Sequence, residues 1–229
     1  MCWFLAMLSV AAAFAQNNAI IAHAEGGILD LRHADFSSKS YSLRGTWNYY
    51  PGLLLKEDEL SSHKAQKIVY PALWNREDKL NHGATGVATY SVTILLPKET
   101  PRLAFRVPDA FSSYNLYSNG VLISSNGFPA YEKELATPFW ETRTVNVNQS
   151  GTLRLVLQIA NFWHYKGGPY KDITLGERQA MYLDRNRSHA LDLLLAGCLF
   201  MGGLFFLGLF IFGTQDKAIL YFSLFCIVY

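Results

Sequence analysis

YNLYSNGVLIS, from Tyr114 to Ser124, sets two β-prone runs on either side of Asn119-Gly120. A type I′ turn needs positive φ at both central positions, which Asn and Gly tolerate best, so the stretch predicts a tight β-hairpin. The same signature continues outward. Val87 to Leu96 (VATYSVTILL) puts Tyr90, Val92, Ile94 and Leu96 on one face. Leu153 to Ile159 (LRLVLQI) alternates Leu153, Leu155, Leu157 and Ile159 with Arg154, Val156 and Gln158. Alternation of period two is that of half-buried strands with one face on a core. Arg102 to Val107 (RLAFRV) is a shorter example. Strand-like stretches broken by turn chemistry about every eight to twelve residues are the pattern of a β-sandwich. Helical signals are few: a turn or two near Leu53 to Leu60, and Glu177 to Asn186.

Half of the 229 residues are apolar, unevenly spread. Met1 to Ala15 and Leu191 to Tyr229 are strongly apolar, and the region between them reads as an ordinary domain long enough to bury its own core. A formal charge of +2, with no concentrated basic face, argues against a nucleic-acid partner. Cys2, Cys198 and Cys226 all lie in the apolar runs, so the central region has no disulfide and no cysteine-held metal. The six histidines show neither HxH nor HExxH spacing. No metal or cofactor is expected.

Cys2 to Phe14 is a thirteen-residue apolar segment, too short to span a bilayer, and leads into Ala13-Phe14-Ala15. A second small-x-small pattern is Ala22-His23-Ala24. Residues 1–24 therefore read as a secretory signal peptide cleaved after Ala15 or Ala24, although no Lys or Arg precedes the apolar run. At the other end, Leu193 to Phe212 is twenty residues without a charge, about 30 Å as a helix. A transmembrane helix is expected over residues 191–213, reached through a connector over 177–190. Gly197, Gly202, Gly203 and Gly208 favour close packing against a partner helix, without a GxxxG step. After Gly213 to Lys217, Ala218 to Tyr229 (AILYFSLFCIVY) reads as the start of a second span, about 18 Å long. Export puts residues 25–176 outside the cytoplasm. Arg185 and Arg187 against Lys217 run mildly counter to the positive-inside rule, but long translocated domains cross largely regardless of such charges.

No GxSxG and no phosphate-binding glycine loop occurs, and Glu57-Asp58-Glu59 reads as a solvated helix face rather than a catalytic pair. Trp47 and Trp74 alternate with apolar partners and read as core. Trp140 (TPFWET) and the run Asn161-Phe162-Trp163-His164-Tyr165-Lys166-Gly167-Gly168 differ, because the run sits directly at a strand end. Flat aromatics beside amides suit sugars: ring faces stack on C–H surfaces while amide and imidazole groups bond hydroxyls. Trp140, Asn161, Trp163, His164 and Tyr165 are the candidate ligand-binding residues. The competing reading is that Phe162 and Trp163 plug the barrel end and the glycines only make a turn.

LRGTWNYYPGLLL, YPALWN, GVATYSVTILLP, RLAFRV, SSYNLYSNGVLISSNG, TLRLVLQIANF and GGPYKDITLG follow one another in an order that resembles the galactose-binding-like jelly roll, as in the sugar-binding domain of family 2 glycoside hydrolases. Joined to a signal peptide and the apolar segments after His189, the chain from Leu43 to Tyr229 resembles bacterial seven-transmembrane receptors with diverse intracellular signalling modules. That resemblance implies an all-β jelly-roll ectodomain followed by α-helical transmembrane segments in the bacterial inner membrane. It also implies five further helices and a cytoplasmic output, such as a histidine kinase, diguanylate cyclase or phosphatase, outside this sequence. The expected function is that of an extracytoplasmic sensor, not itself an enzyme, whose partners are a carbohydrate-like or other small ligand and the lipid bilayer. Two alternatives stand beside it: the accessory sugar-binding domain of a membrane-tethered glycosidase, and an adhesion or homodimerisation domain without a small ligand.

Overall fold

Asn119 and Gly120 both take positive φ, 46° and 76°, and the expected hairpin forms between β7 (Ser113–Ser118) and β8 (Val121–Asn126). The Asn119 side chain adds to the turn by accepting from Arg154 N (2.7 Å) and donating to Thr152 O (3.3 Å), which ties the hairpin to the neighbouring strand. The computed structural model describes residues 19–76, 83–213 and 216–228. The leader up to residue 18, with the Ala15 cleavage position, and Tyr229 lie outside the described residues. The chain divides after Met181 into a β-domain and a helical segment.

In the β-domain, eleven strands join one sheet with the main order β8-β7-β10-β5-β3-β11-β6-β9. β10 (Thr152–Asn161) lies antiparallel between β5 (Gly86–Leu95) and β7. β3 (Tyr41–Pro51) pairs with β5 at one end and with β11 (Thr174–Glu177) at the other; β6 (Leu103–Val107) and β9 (Arg143–Val147) follow. β4 (Gln66–Tyr70) runs antiparallel to β3. β8 and β9, the two ends of the path, touch, so the sheet is nearly closed around its core. Trp47 and Trp74 are buried in that core as expected, Trp47 stacked on Tyr70 at 3.9 Å.

Two features differ from the sequence reading. Ile20–Ala24, counted there with the leader, forms β1, which runs parallel to β3, while Ile28–Asp30 forms β2, parallel to β5. The expectation that β10 has one open face also needs correction: Val156, Gln158 and Ala160 are as buried as Leu157 and Ile159 between them. The segment after β3 folds over that outer face. Leu55 and Leu60 pack with Tyr50 and Val156, Gln158 Nε2 donates to Leu55 O (3.0 Å), and Thr89 Oγ1 donates to Leu53 O (2.7 Å).

Burial raises the pKa of the core tyrosines Tyr49, Tyr70, Tyr90 and Tyr114, that of Tyr49 to about 12. A phenol ionises near pH 10 in the unfolded chain, where these four still hold their protons in the native state. The unfolded state then binds fewer protons, so stability is whole below pH 10 and falls as pH rises through 10 to 12 and beyond. Phenolate absorbance from the core tyrosines is expected to appear together with the loss of near-ultraviolet circular dichroism. Independent, non-cooperative ionisation near pH 10 would contradict their burial.

The helical segment contains α1 (Arg178–Phe212, 35 residues), which starts in the residue after β11, and α2 (Lys217–Val228, 12 residues). Phe206 meets Phe222 edge-on at 5.0 Å, and Gly203 of α1 lies beside Ile227, Ser223 and Cys226 of α2. Among the described residues, one helix, α1, is long and apolar enough to cross a membrane, where the sequence reading expected a span over 191–213 and the start of a second from Ala218. α2 is apolar, and its described length falls short of a span.

Candidate functional site

β10 ends at Asn161, and the chain then turns sharply through residues 162–168. What fixes that turn is Asn161 itself, which is 0% exposed. Its Nδ2 donates to Ala84 O (2.7 Å), His164 O (2.8 Å) and Lys166 O (3.2 Å), while its Oδ1 accepts from His164 N (3.0 Å). Asn75 Nδ2 donates to Tyr165 O (3.2 Å), and Trp74 N donates to Gly167 O (2.9 Å). Four successive carbonyls of the loop are thus taken. An amide with all its bonds made inside the protein has none left for a ligand, so Asn161 braces the loop.

The rings are organised around a residue that the sequence did not single out. Phe111, at the end of the β6–β7 connection, has φ 62°, a left-handed conformation that bulky residues adopt at a cost of about 1–3 kcal/mol. Its ring stacks on His164 (4.5 Å, 6° between planes) and on Tyr170 (3.9 Å, 22°). Two rings at those separations cannot share one face, so Phe111 is the middle of a three-ring stack. Trp140 joins from the β8–β9 connection, its Nε1 donating to Phe111 O (2.8 Å). Tyr165 tilts against His164 at 4.6 Å. Tyr170 OH donates to Asp109 at 3.0 Å, and the Lys171 ammonium sits 4.7 Å over the Tyr170 ring. His164 Nδ1 lies within hydrogen-bonding distance of both Lys166 N (3.1 Å) and Lys166 O (3.2 Å), which holds the imidazole to its own turn.

Of the five candidates, Asn161, His164 and Tyr165 come together in the loop, and Trp140 is linked to them through Phe111. Trp163 meets Phe162 edge-on at 6.0 Å. Trp163 is 42% exposed, Trp140 60% and Tyr165 70%, so these three rings face solvent rather than plug the domain. Beside the stack lies an open cleft of about 410 Å³, walled by Val69, Pro71, Leu73, Phe111, Lys166 and Tyr170. Phe111, Lys166 and Tyr170 were missed from sequence. No local pattern marks a phenylalanine with positive φ, and Tyr170 meets Phe111 across 59 residues of chain. Among the described residues, no group of three His, Cys, Asp or Glu side chains is placed to hold a metal.

No protein-family model and no curated protein matches the chain. Solved structures give partial matches. One is a β-glucuronidase from an uncultured Clostridium sp., 12% identical over 60% of this chain and 28% of that one, with a TM-score of 0.44. Another is the Faecalibacterium prausnitzii β-glucuronidase, 17% identical over 59% of this chain and 31% of that one, TM-score 0.46. A third is a putative β-galactosidase from Bacteroides fragilis, 14% identical over 60% of this chain and 23% of that one, TM-score 0.45. The match spans less than a third of each of these longer chains. At such identities and TM-scores the likeness assigns neither activity nor ligand to this protein.

Proposed function

We propose that this protein is a carbohydrate-binding module of jelly-roll type, held at a membrane by α1 and acting by capture rather than by catalysis. One observation carries the binding reading: Trp163 and Tyr165 stand exposed on a loop whose backbone is fixed through the buried Asn161. Exposed aromatic rings on a pre-ordered loop stack on a sugar without the entropic cost of ordering that loop on binding. His164 and Trp140 complete the ligand-contacting group, with Asn161 positioning it. The membrane reading rests on α1, whose most apolar stretch is 6% buried in the protein itself. A helix apolar on all sides and left uncovered belongs in lipid. Of the two cleavage positions, processing after Ala15 keeps β1, whereas processing after Ala24 removes a strand paired along its whole length with β3.

Full-length protein purified in detergent and moved into lipid nanodiscs tests these points together. Incorporation, an N-terminal mass starting at Gln16, and binding to members of a diverse glycan array are expected. Trp163→Ala and Tyr165→Ala should each weaken that binding about tenfold, the loss of one stacking platform. A stable homodimer with no glycan bound would replace this reading by an adhesion or dimerisation role. A chain that stays out of the nanodisc would remove the membrane anchor.

Two settings fit a tethered sugar-binding module: accessory domain of a glycosidase, or input domain of a multi-pass signalling receptor in a bacterial inner membrane. The coding sequence downstream of Tyr229 separates them. Further membrane spans and a signalling domain support the receptor, and a catalytic glycosidase domain excludes it.

A further inference from the structure

We infer that the cleft beside the three-ring stack selects a sugar bearing a carboxylate, of the hexuronic-acid kind, and that Lys166 is the residue that reads the charge. The inference rests on the carbohydrate reading above and narrows its ligand class. It follows first from what the cleft's own rings no longer offer. Phe111 has His164 on one face and Tyr170 on the other. Tyr170 has Phe111 on one face, and the Lys171 ammonium 4.7 Å from its centroid occupies the other. Neither ring that walls the cleft keeps a free face for the C–H surface of a neutral sugar. Val69, Pro71, Ala72, Leu73 and Pro169 add apolar walls with no aromatic ring and no side-chain hydrogen-bonding group.

What the cleft does offer is one ammonium group. Lys166 lines it with Nζ 5.7 Å from the Phe111 centroid and 5.1 Å from that of Tyr165, so its stem and charge are steered by two rings. Its backbone is held at both ends, by His164 Nδ1 on its N–H and by Asn161 Nδ2 on its carbonyl. Among the described residues, the ion pairs are Arg32–Asp30, Arg44–Asp172, Arg143–Glu141 and Arg154–Glu57, and Lys166 takes part in none. Asp109, the carboxylate tied to the stack, accepts from the Tyr170 hydroxyl and has its own partner. An ammonium in a partly apolar cleft, in none of these ion pairs among the described residues, gains most from an anionic ligand group, because the attraction is stronger there than in bulk water. A carboxylate on a pyranose ring supplies that charge. Its C–H face is then free for the exposed ring of Trp163 on the same loop.

The test uses the full chain in nanodiscs, titrated with glucuronate and galacturonate oligosaccharides and with their neutral glucose and galactose counterparts. The acidic oligosaccharides are expected to bind about tenfold more tightly, and the gap should narrow on going from about 20 mM to about 500 mM salt. Lys166→Met should abolish the preference by weakening the acidic oligosaccharides about tenfold, and Lys166→Arg should restore most of it. An unchanged thermal midpoint in Lys166→Met ties the effect to the charge rather than to folding. Equal affinity for acidic and neutral sugars, or a preference that survives Lys166→Met, overturns the inference while the carbohydrate reading stands. Binding to no sugar of either kind overturns both.

Discussion

Gly45→Ala is expected to destabilise the β-domain by about 3 kcal/mol, lowering its thermal midpoint by roughly 6–12 °C. Gly45 lies in the middle of β3, where β1 pairs on one side and β4 on the other. Its φ is 105°, which a side chain resists, and a Cβ there would sit 2.3 Å from Ala24 O and 2.4 Å from Ala24 N. The three nearest atoms are all Ala24 backbone, which leaves the added methyl group nothing soft to push against. The only relief is for β1 to pull away from β3. Gly52→Ala is the control, because Gly52 also has positive φ (73°) but nothing within 4 Å of the new Cβ. It should cost about 1 kcal/mol, the backbone strain alone. Thermal unfolding followed by near-ultraviolet circular dichroism separates the two variants. Equal midpoints would mean that the close approach of β1 contributes nothing.

The second large effect is expected at Asn161. Asn161→Ala removes the buried amide that bonds two carbonyls and one N–H of the turn and the Ala84 carbonyl, at about 3 kcal/mol. The loss falls on the loop that presents Trp163 and Tyr165. Ligand affinity should drop by more than tenfold although Asn161 touches no ligand, because binding must then order the loop. Hydrogen exchange distinguishes this from a direct contact. The amides of residues 162–167 should lose protection in the variant while those of β5 and β10 keep theirs. Full protection of the loop would show that the ring stack alone holds it, and would return Asn161 to the list of direct contacts.

The elements legible in the sequence are those whose cause is local. Asn119-Gly120 called for a hairpin because positive φ is a property of two adjacent residues. The alternation of β5 and β10 and the buried Trp47 and Trp74 were legible because a core face repeats every second residue. The same logic misled at β10, where polar Gln158 alternates with apolar neighbours yet is buried. Its bond to Leu55 O comes from a segment 103 residues earlier, and no local period records that cover. Ile20–Ala24 is ambiguous for another reason: a short apolar run ending in small residues satisfies a cleavage pattern and a strand equally well.

The candidate site shows the same division. Trp140, Trp163, His164 and Tyr165 drew notice as aromatic and polar residues outside the strand alternation. Asn161 drew notice as a possible ligand contact and is instead a buried brace. Phe111, Lys166 and Tyr170 became meaningful only once the β6–β7 connection, the loop after β10 and the approach to β11 met at one end of the sheet.

By itself, the sequence determined an all-β domain with a tight hairpin at Asn119-Gly120, and an apolar helix with the length to cross a bilayer. These follow from backbone preference and from the spacing of apolar residues, both readable within a window of a dozen residues. Tertiary structure alone decided that β1 is part of the sheet, that the outer face of β10 is covered, and that Phe111 joins His164 to Tyr170. Each depends on contacts between segments far apart in the chain, which are set by how the whole sheet closes on its core.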